Sequence, residues 1–160
     1  MATTIYERQL TNCPYVRARE YLHEAIEGAA QKGGAVTLPL KANLPLLKGA
    51  VEKDVLVSYG KGQDPLRFDE PWLVHWTPEG GGPYPDFNGE LTVRADESYR
   101  RAILELRGEY TPPLGTFGQA FDLILGAKIA AGTARSLLQE IARSMEERFN
   151  REETLKQKAV

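Results

Sequence analysis

The chain predicts an α+β domain in which one long carboxy-terminal helix covers a face of an antiparallel sheet. Three observations lead there. Five β-rich runs follow one another between Ala35 and Tyr110 with only turn residues between them. A proline-free stretch from Gln119 to about Phe149 then keeps helical periodicity, and a shorter helical pattern lies near the amino terminus. Helices and strands are segregated rather than alternating, as in sheets with helices on one face.

Taken in order, Thr4 to Leu10 is a short strand ended by Thr11-Asn12-Cys13-Pro14. Thr11 or Asn12 can cap a helix whose first turn holds Pro14, where a missing N–H costs little. Tyr15, Val16, Ala18, Tyr21, Leu22, Ala25, Ile26 and Ala29 recur at helical spacing, and Lys32-Gly33-Gly34 stops the pattern. Strands are expected over Ala35 to Lys41, Val51 to Tyr59, Arg67 to Pro78, Phe87 to Asp96 and Tyr99 to Tyr110. Asn43, Pro45 and Gly49 break the first pair, Gly60 to Pro65 the second and Glu79 to Pro83 the third, while Asp96-Glu97-Ser98 is short enough for a hairpin. Thr116 and Gln119 have the spacing of a capping box for the long helix. That helix is expected to end near Phe149, leaving one domain over 1–150 and a polar, frayed tail over 151–160.

Composition narrows the function classes. At 160 residues the chain can bury a real core. Its 20 Lys and Arg against 22 Asp and Glu give a net charge of -2, and the basic residues are scattered, so no nucleic-acid surface is expected. The single Cys13 forbids an intramolecular disulfide, and no Cys/His cluster has zinc spacing. A reducing cytoplasm is the expected compartment, since neither a signal segment nor a run of about 18 apolar residues is present. Gly80-Gly81-Gly82-Pro83 lacks the Lys-Ser/Thr and helix start of a phosphate loop and reads as a flexible strand connection or a lid.

Side chains alternate along strands, and the more apolar set should face the helices. These are Val55, Val57 and Tyr59; Trp72, Val74 and Trp76; Phe87, Leu91 and Val93 around Gly89; and Ala102, Leu104, Leu106 and Tyr110 around Gly108. The glycines are bends or bulges, and either curves the sheet. On the long helix, Ala120, Leu123, Ile124, Ala127, Ala131, Ala134, Leu138, Ile141, Met145 and Phe149 fall on one face at about 100° per residue. The middle of that stripe is alanine, which suggests a cavity between helix and sheet. Trp72 and Trp76 either fill the core or wall that cavity, each indole N–H then seeking an acceptor.

The run Tyr110-Thr111-Pro112-Pro113-Leu114-Gly115-Thr116-Phe117-Gly118, with Asp122 and Ala131-Gly132-Thr133-Ala134-Arg135-Ser136-Leu137-Leu138, resembles the START-like helix-grip superfamily, also called SRPBCC. Val74-His75-Trp76, Pro85 and Leu91-Thr92-Val93 support the resemblance, which covers nearly the whole chain. It implies a curved antiparallel sheet wrapped around the carboxy-terminal helix, and a cavity for lipids, polyketides, isoprenoid-like or other apolar molecules. Relatives include lipid carriers and polyketide cyclases and aromatases, so the likeness sets a class and not an activity. The chain departs from the superfamily in showing one clear early helix instead of a pair of short ones.

The ligand-binding set expected from this reading is Val57, Tyr59, Trp72, Val74, Trp76, Leu91, Val93, Leu104 and Leu106 on the sheet, with Ala127, Ala131, Ala134, Arg135 and Leu138 on the helix. No cofactor or metal is implied. Three functions stand: binding of a hydrophobic small molecule, a cyclase or aromatase on the same scaffold, and a stress or assembly factor acting through protein contacts. Catalysis needs an ionisable group in the cavity, and inward ones are scarce. His75 has outward parity, His23 sits among charged helix neighbours, and Arg135 lies about 60° from the alanine stripe, at its edge or snorkelling to solvent. Binding is therefore favoured over catalysis. A terminal strand with an exposed apolar edge would support a homodimer.

Overall fold

The computed structural model describes residues 3–31, 33–43, 50–61, 71–80, 86–111 and 119–159. The elements run β1 (Thr3–Thr11), α1 (Tyr15–Gln31), β2 (Ala35–Asn43), β3 (Ala50–Lys61), β4 (Trp72–Pro78), β5 (Asp86–Ala95), β6 (Ala102–Thr111) and α2 (Gln119–Lys158). Several expected features lie outside the described residues. They are the Pro-Pro turn and Thr116, Pro85, the glycines after Gly80, the Gly62 to Pro65 turn, Arg67 to Glu70, the break at Pro45 and Gly49, Lys32 and the Asp122 side chain.

The strands form one antiparallel sheet in the order β1-β6-β5-β4-β3-β2. β1 and β2 are its opposite edges, yet both lie against α2. Only a sheet curled around the helix permits that.

Pairing register sets the inward face in rows. Val57, Trp76, Phe87 and Tyr110 stand side by side across four strands. The next row is Tyr59, Val74, Gly89, Gly108 and Ile5, and the next contains Trp72, Leu91 and Leu106. The expected inward sets are thus the observed ones, with Val55, Val57, Trp76, Phe87, Leu91, Leu104, Leu106 and Tyr110 fully buried. Gly89 faces Gly108 in an unbroken register, so neither is a bulge. A Cβ on Gly89 would stand 2.5 Å from the Phe87 ring, and one on Gly108 would stand 2.6 Å from it and 2.2 Å from the Asn88 carbonyl oxygen. Their missing side chains let Phe87 lie down over both strands and stack on Trp76, with centroids 4.0 Å apart and planes 12° apart.

Three local expectations change. Thr11 and Asn12 do not cap α1; they dock on α2, where the Asn12 N–H donates to Glu146 Oε1 at 2.7 Å and the Thr11 hydroxyl lies 3.3 Å from the same oxygen. α1 instead opens on the Pro14 carbonyl, which accepts from the Ala18 N–H. β6 starts at Ala102, not Tyr99, because Asp96 gathers the N–H groups of Ser98 and Arg101 and the Arg101 guanidinium into a turn, with Tyr99 at φ 57°. The outer face carries cross-strand charge pairs as expected, but Glu105 is buried beneath Arg8 and Arg94, at 3.3 Å from each.

The long helix differs most. It continues to Lys158 rather than ending near Phe149. At 1.5 Å per residue its 40 residues extend about 60 Å. Its buried face also rotates along the axis. Ala130, Thr133, Ala134 and Leu137 are buried up to the midpoint of the helix, whereas from Leu138 onward the buried residues are Leu138, Ala142 and Met145. Ala127 and Ala131, central to the expected stripe, are only half-buried. The first part packs on the sheet, where Gly126 admits the Tyr110 ring, whose nearest carbon would lie 3.3 Å from an added Cβ. The second part turns toward α1.

Candidate functional site

The centre of the expected cavity is packed. Val57, Val74, Trp76, Leu91, Leu104, Leu106, Ala134 and Leu138 are all at most 1% exposed and fill the space with their own side chains. Trp76 Nε1 is buried there without a hydrogen-bond partner among the described residues. Arg135 does not reach this region: it is exposed and pairs with Glu7 on β1 at 3.3 Å, fastening α2 to the sheet edge. Ala127 and Ala131 lie at the margin of the helix interface, because the buried face of α2 rotates past them.

Open volume lies one helix further on. A groove of about 360 Å³ runs between α1 and the second half of α2, with Tyr59 of β3 as its floor. Tyr21, Leu22, Ile26 and Ala29 line it from α1, and Ile141 and Met145 from α2. Ala25 and Ala29 sit one turn apart on α1 and keep that wall thin. The small residues that leave room in this groove are therefore on α1.

Tyr59 is the polar residue of the apolar floor. Burial pushes its phenol up to about 12, so it remains protonated at neutral pH. Its hydroxyl makes no hydrogen bond to a described residue. The charged residues of the lining, Glu140 and Arg148, are solvent-exposed in their side chains.

One end of the groove is tied shut. The Tyr21 hydroxyl donates to Glu152 Oε2 at 2.5 Å, and the Arg148 guanidinium stands 4.1 Å above the Tyr21 ring. Arg148 also bridges the helices through Glu24 at 2.6 Å and holds Glu152 at 3.2 Å. Glu152 belongs to the segment expected to fray, and this anchoring is why the helix persists there. Burial, and then the bond to Glu152, pushes the Tyr21 phenol up to about 12.

Among the expected site residues, Tyr59 borders this groove, while Trp72 and Val93 border a separate hollow on the other flank of α1. His75 points outward as its parity requires, 2.7 Å from Asn88 Oδ1. His23, which carried no signal in sequence, packs its ring 5.7 Å from that of Trp72. Tyr21, Leu22, Ile26 and Arg148 carry no site signal in the sequence, since helical periodicity marks them as core or surface and does not say which helix they face. Among the described residues, no three His, Cys, Asp or Glu side chains cluster to hold a metal, and no helix is long and apolar enough to cross a membrane.

No protein-family model and no curated protein matches the sequence. Solved structures do match in fold. The Zhui aromatase/cyclase of Streptomyces sp. R1128 is similar at a TM-score of 0.53 and 13% identity, over 92% of this chain and 96% of that one. A protein of Thermus thermophilus is similar at a TM-score of 0.51 and 12% identity, over 89% of this chain and 97% of that one. The architecture is the helix-grip fold, shared with both across nearly their full lengths.

Proposed function

We propose that this helix-grip chain binds an apolar small molecule carrying one hydrogen-bonding group, in the groove between α1 and α2. The observation that carries this is an apolar hollow of about 360 Å³ whose floor presents a protonated Tyr59 hydroxyl with no partner among the described residues. Apolar walls supply the driving force, roughly 25 cal/mol per Å² of ligand surface removed from water. A single polar contact then fixes orientation. A lipid, a polyketide or an isoprenoid-like molecule meets that description, and an intracellular, soluble carrier is the setting in which it would act.

A cyclase is the less favoured reading, although one structural neighbour is an aromatase/cyclase. A general base should titrate near the working pH. Tyr59, held at about 12, does not, and no histidine lines the groove among its described residues.

The test is titration with an apolar fluorescent dye and with oxygen-bearing apolar ligands, beside native mass spectrometry of gently purified protein. Tyr59→Phe should weaken ligands with a polar group about five- to tenfold, the worth of one neutral hydrogen bond of ~1 kcal/mol or slightly more. Melting temperature should barely move, since the hydroxyl has no partner among the described residues. Failure of the wild-type protein to take up any ligand would instead favour a filled core and a protein partner.

A further inference from the structure

The hollow on the other flank of α1 has a volume of about 370 Å³, close to that of the groove, and is walled by Val16, Leu22 and His23 above Trp72 and Val93. Among the described residues, Leu22 is the one that borders both. On the helical wheel Tyr21, Ala25 and Ala29 of the groove fall to one side of it and Val16, Arg19 and His23 of the hollow to the other, at about 100° per residue, with Ile26 of the groove about 40° from it on the hollow's side. It is 4% exposed, pressed between the helix and the sheet.

The floors of the two hollows adjoin as well. Tyr59 pairs with Val74, two residues along β4 from Trp72, so Tyr59 and Trp72 are diagonal neighbours on the same sheet face. Such neighbours stand about 7–8 Å apart. The side chain common to both walls is therefore Leu22, a flexible leucine rather than backbone.

Building on the ligand-binding reading above, we propose that the two hollows are halves of one channel beneath α1, divided by Leu22, which sets the length of the apolar molecule admitted. With Leu22 in place, a ligand anchored at Tyr59 ends against its isobutyl group. With Leu22 trimmed, the same molecule extends along the underside of α1 to Trp72 and His23. The ligand class is an extended amphiphile with one polar end, for which n-alkanoic acids of increasing chain length are the simplest probes.

The experiment is displacement of a bound anilinonaphthalene dye by that series from wild type, Leu22→Ala, Leu22→Val and Leu22→Phe. Wild type should show a best chain length beyond which affinity stops rising. In Leu22→Ala the best length moves upward, each added buried methylene strengthening binding about fourfold. Leu22→Val shifts it the same way by less, and Leu22→Phe shortens it. If Leu22→Ala fails to fold, the opposed shifts of Leu22→Val and Leu22→Phe decide the matter. Binding by wild type with one best length shared by all folded variants overturns the partition and leaves the ligand-binding reading standing. No binding by any of the four proteins overturns both.

Discussion

Phe87 can stack on Trp76 only because two glycines face each other beneath it. A methyl group on Gly108 would meet the Asn88 carbonyl at 2.2 Å and the Gly89 Cα at 2.4 Å, and backbone cannot step aside as a side-chain tip can. Gly108→Ala should therefore cost about 3 kcal/mol or more, at the upper end of overpacking, in urea denaturation. Gly28 supplies the contrast, since nothing lies within 4 Å of its would-be Cβ inside α1. Gly28→Ala should stabilise by about 0.5–1 kcal/mol through helix propensity. Equal effects at the two sites would contradict the proposed role of the glycine pair. The sequence shows both strand glycines and their inward parity, but their cross-strand pairing depends on register, which no local pattern contains.

At the scale of elements, the joint between α1 and α2 hangs on Glu152. The Tyr21 hydroxyl, and then Arg148, hold its carboxyl below the usual carboxylate range. A carboxylate depressed in the folded state stabilises at pH above its unfolded value and loses that contribution as pH falls through the folded value. Melting temperature should accordingly drop on acidification below about pH 4.5, the ordinary range for glutamate, more steeply in wild type than in Glu152→Gln. Parallel curves would remove Glu152 as the pH-sensitive tie. The helix around it looked frayed in sequence because its residues are polar. What holds it is contact with Tyr21 and Glu24, more than a hundred positions earlier in the chain.

Across the whole molecule, the curled sheet brings both edge strands to α2, so the amino-terminal strand and the last helix close the core together. Cys13 lies at that closure, fully buried beside the β1–α1 junction. Burial, reinforced by the nearby Glu146 carboxylate, pushes its thiol up to about 11, which leaves it protonated and inert at neutral pH. A thiol reagent should label the native protein only at the rate of unfolding, and bound ligand should slow that labelling by stabilising the folded state. Rapid labelling without denaturant would show that the closure opens locally.

Periodicity along the chain by itself determined the two helices, the succession of strands, the inward parity of every core strand from β3 to β6 and the outward turn of His75. Those depend on each residue's immediate neighbours, through the 3.6-residue turn and the two-residue pleat. Tertiary structure alone decided where the open volume lies. An alanine marks a thin wall, but whether that wall faces a packed sheet layer such as Leu104 and Leu106 or an open groove depends on how far α2 rotates and where α1 rests, and both are set by contacts between residues far apart in sequence.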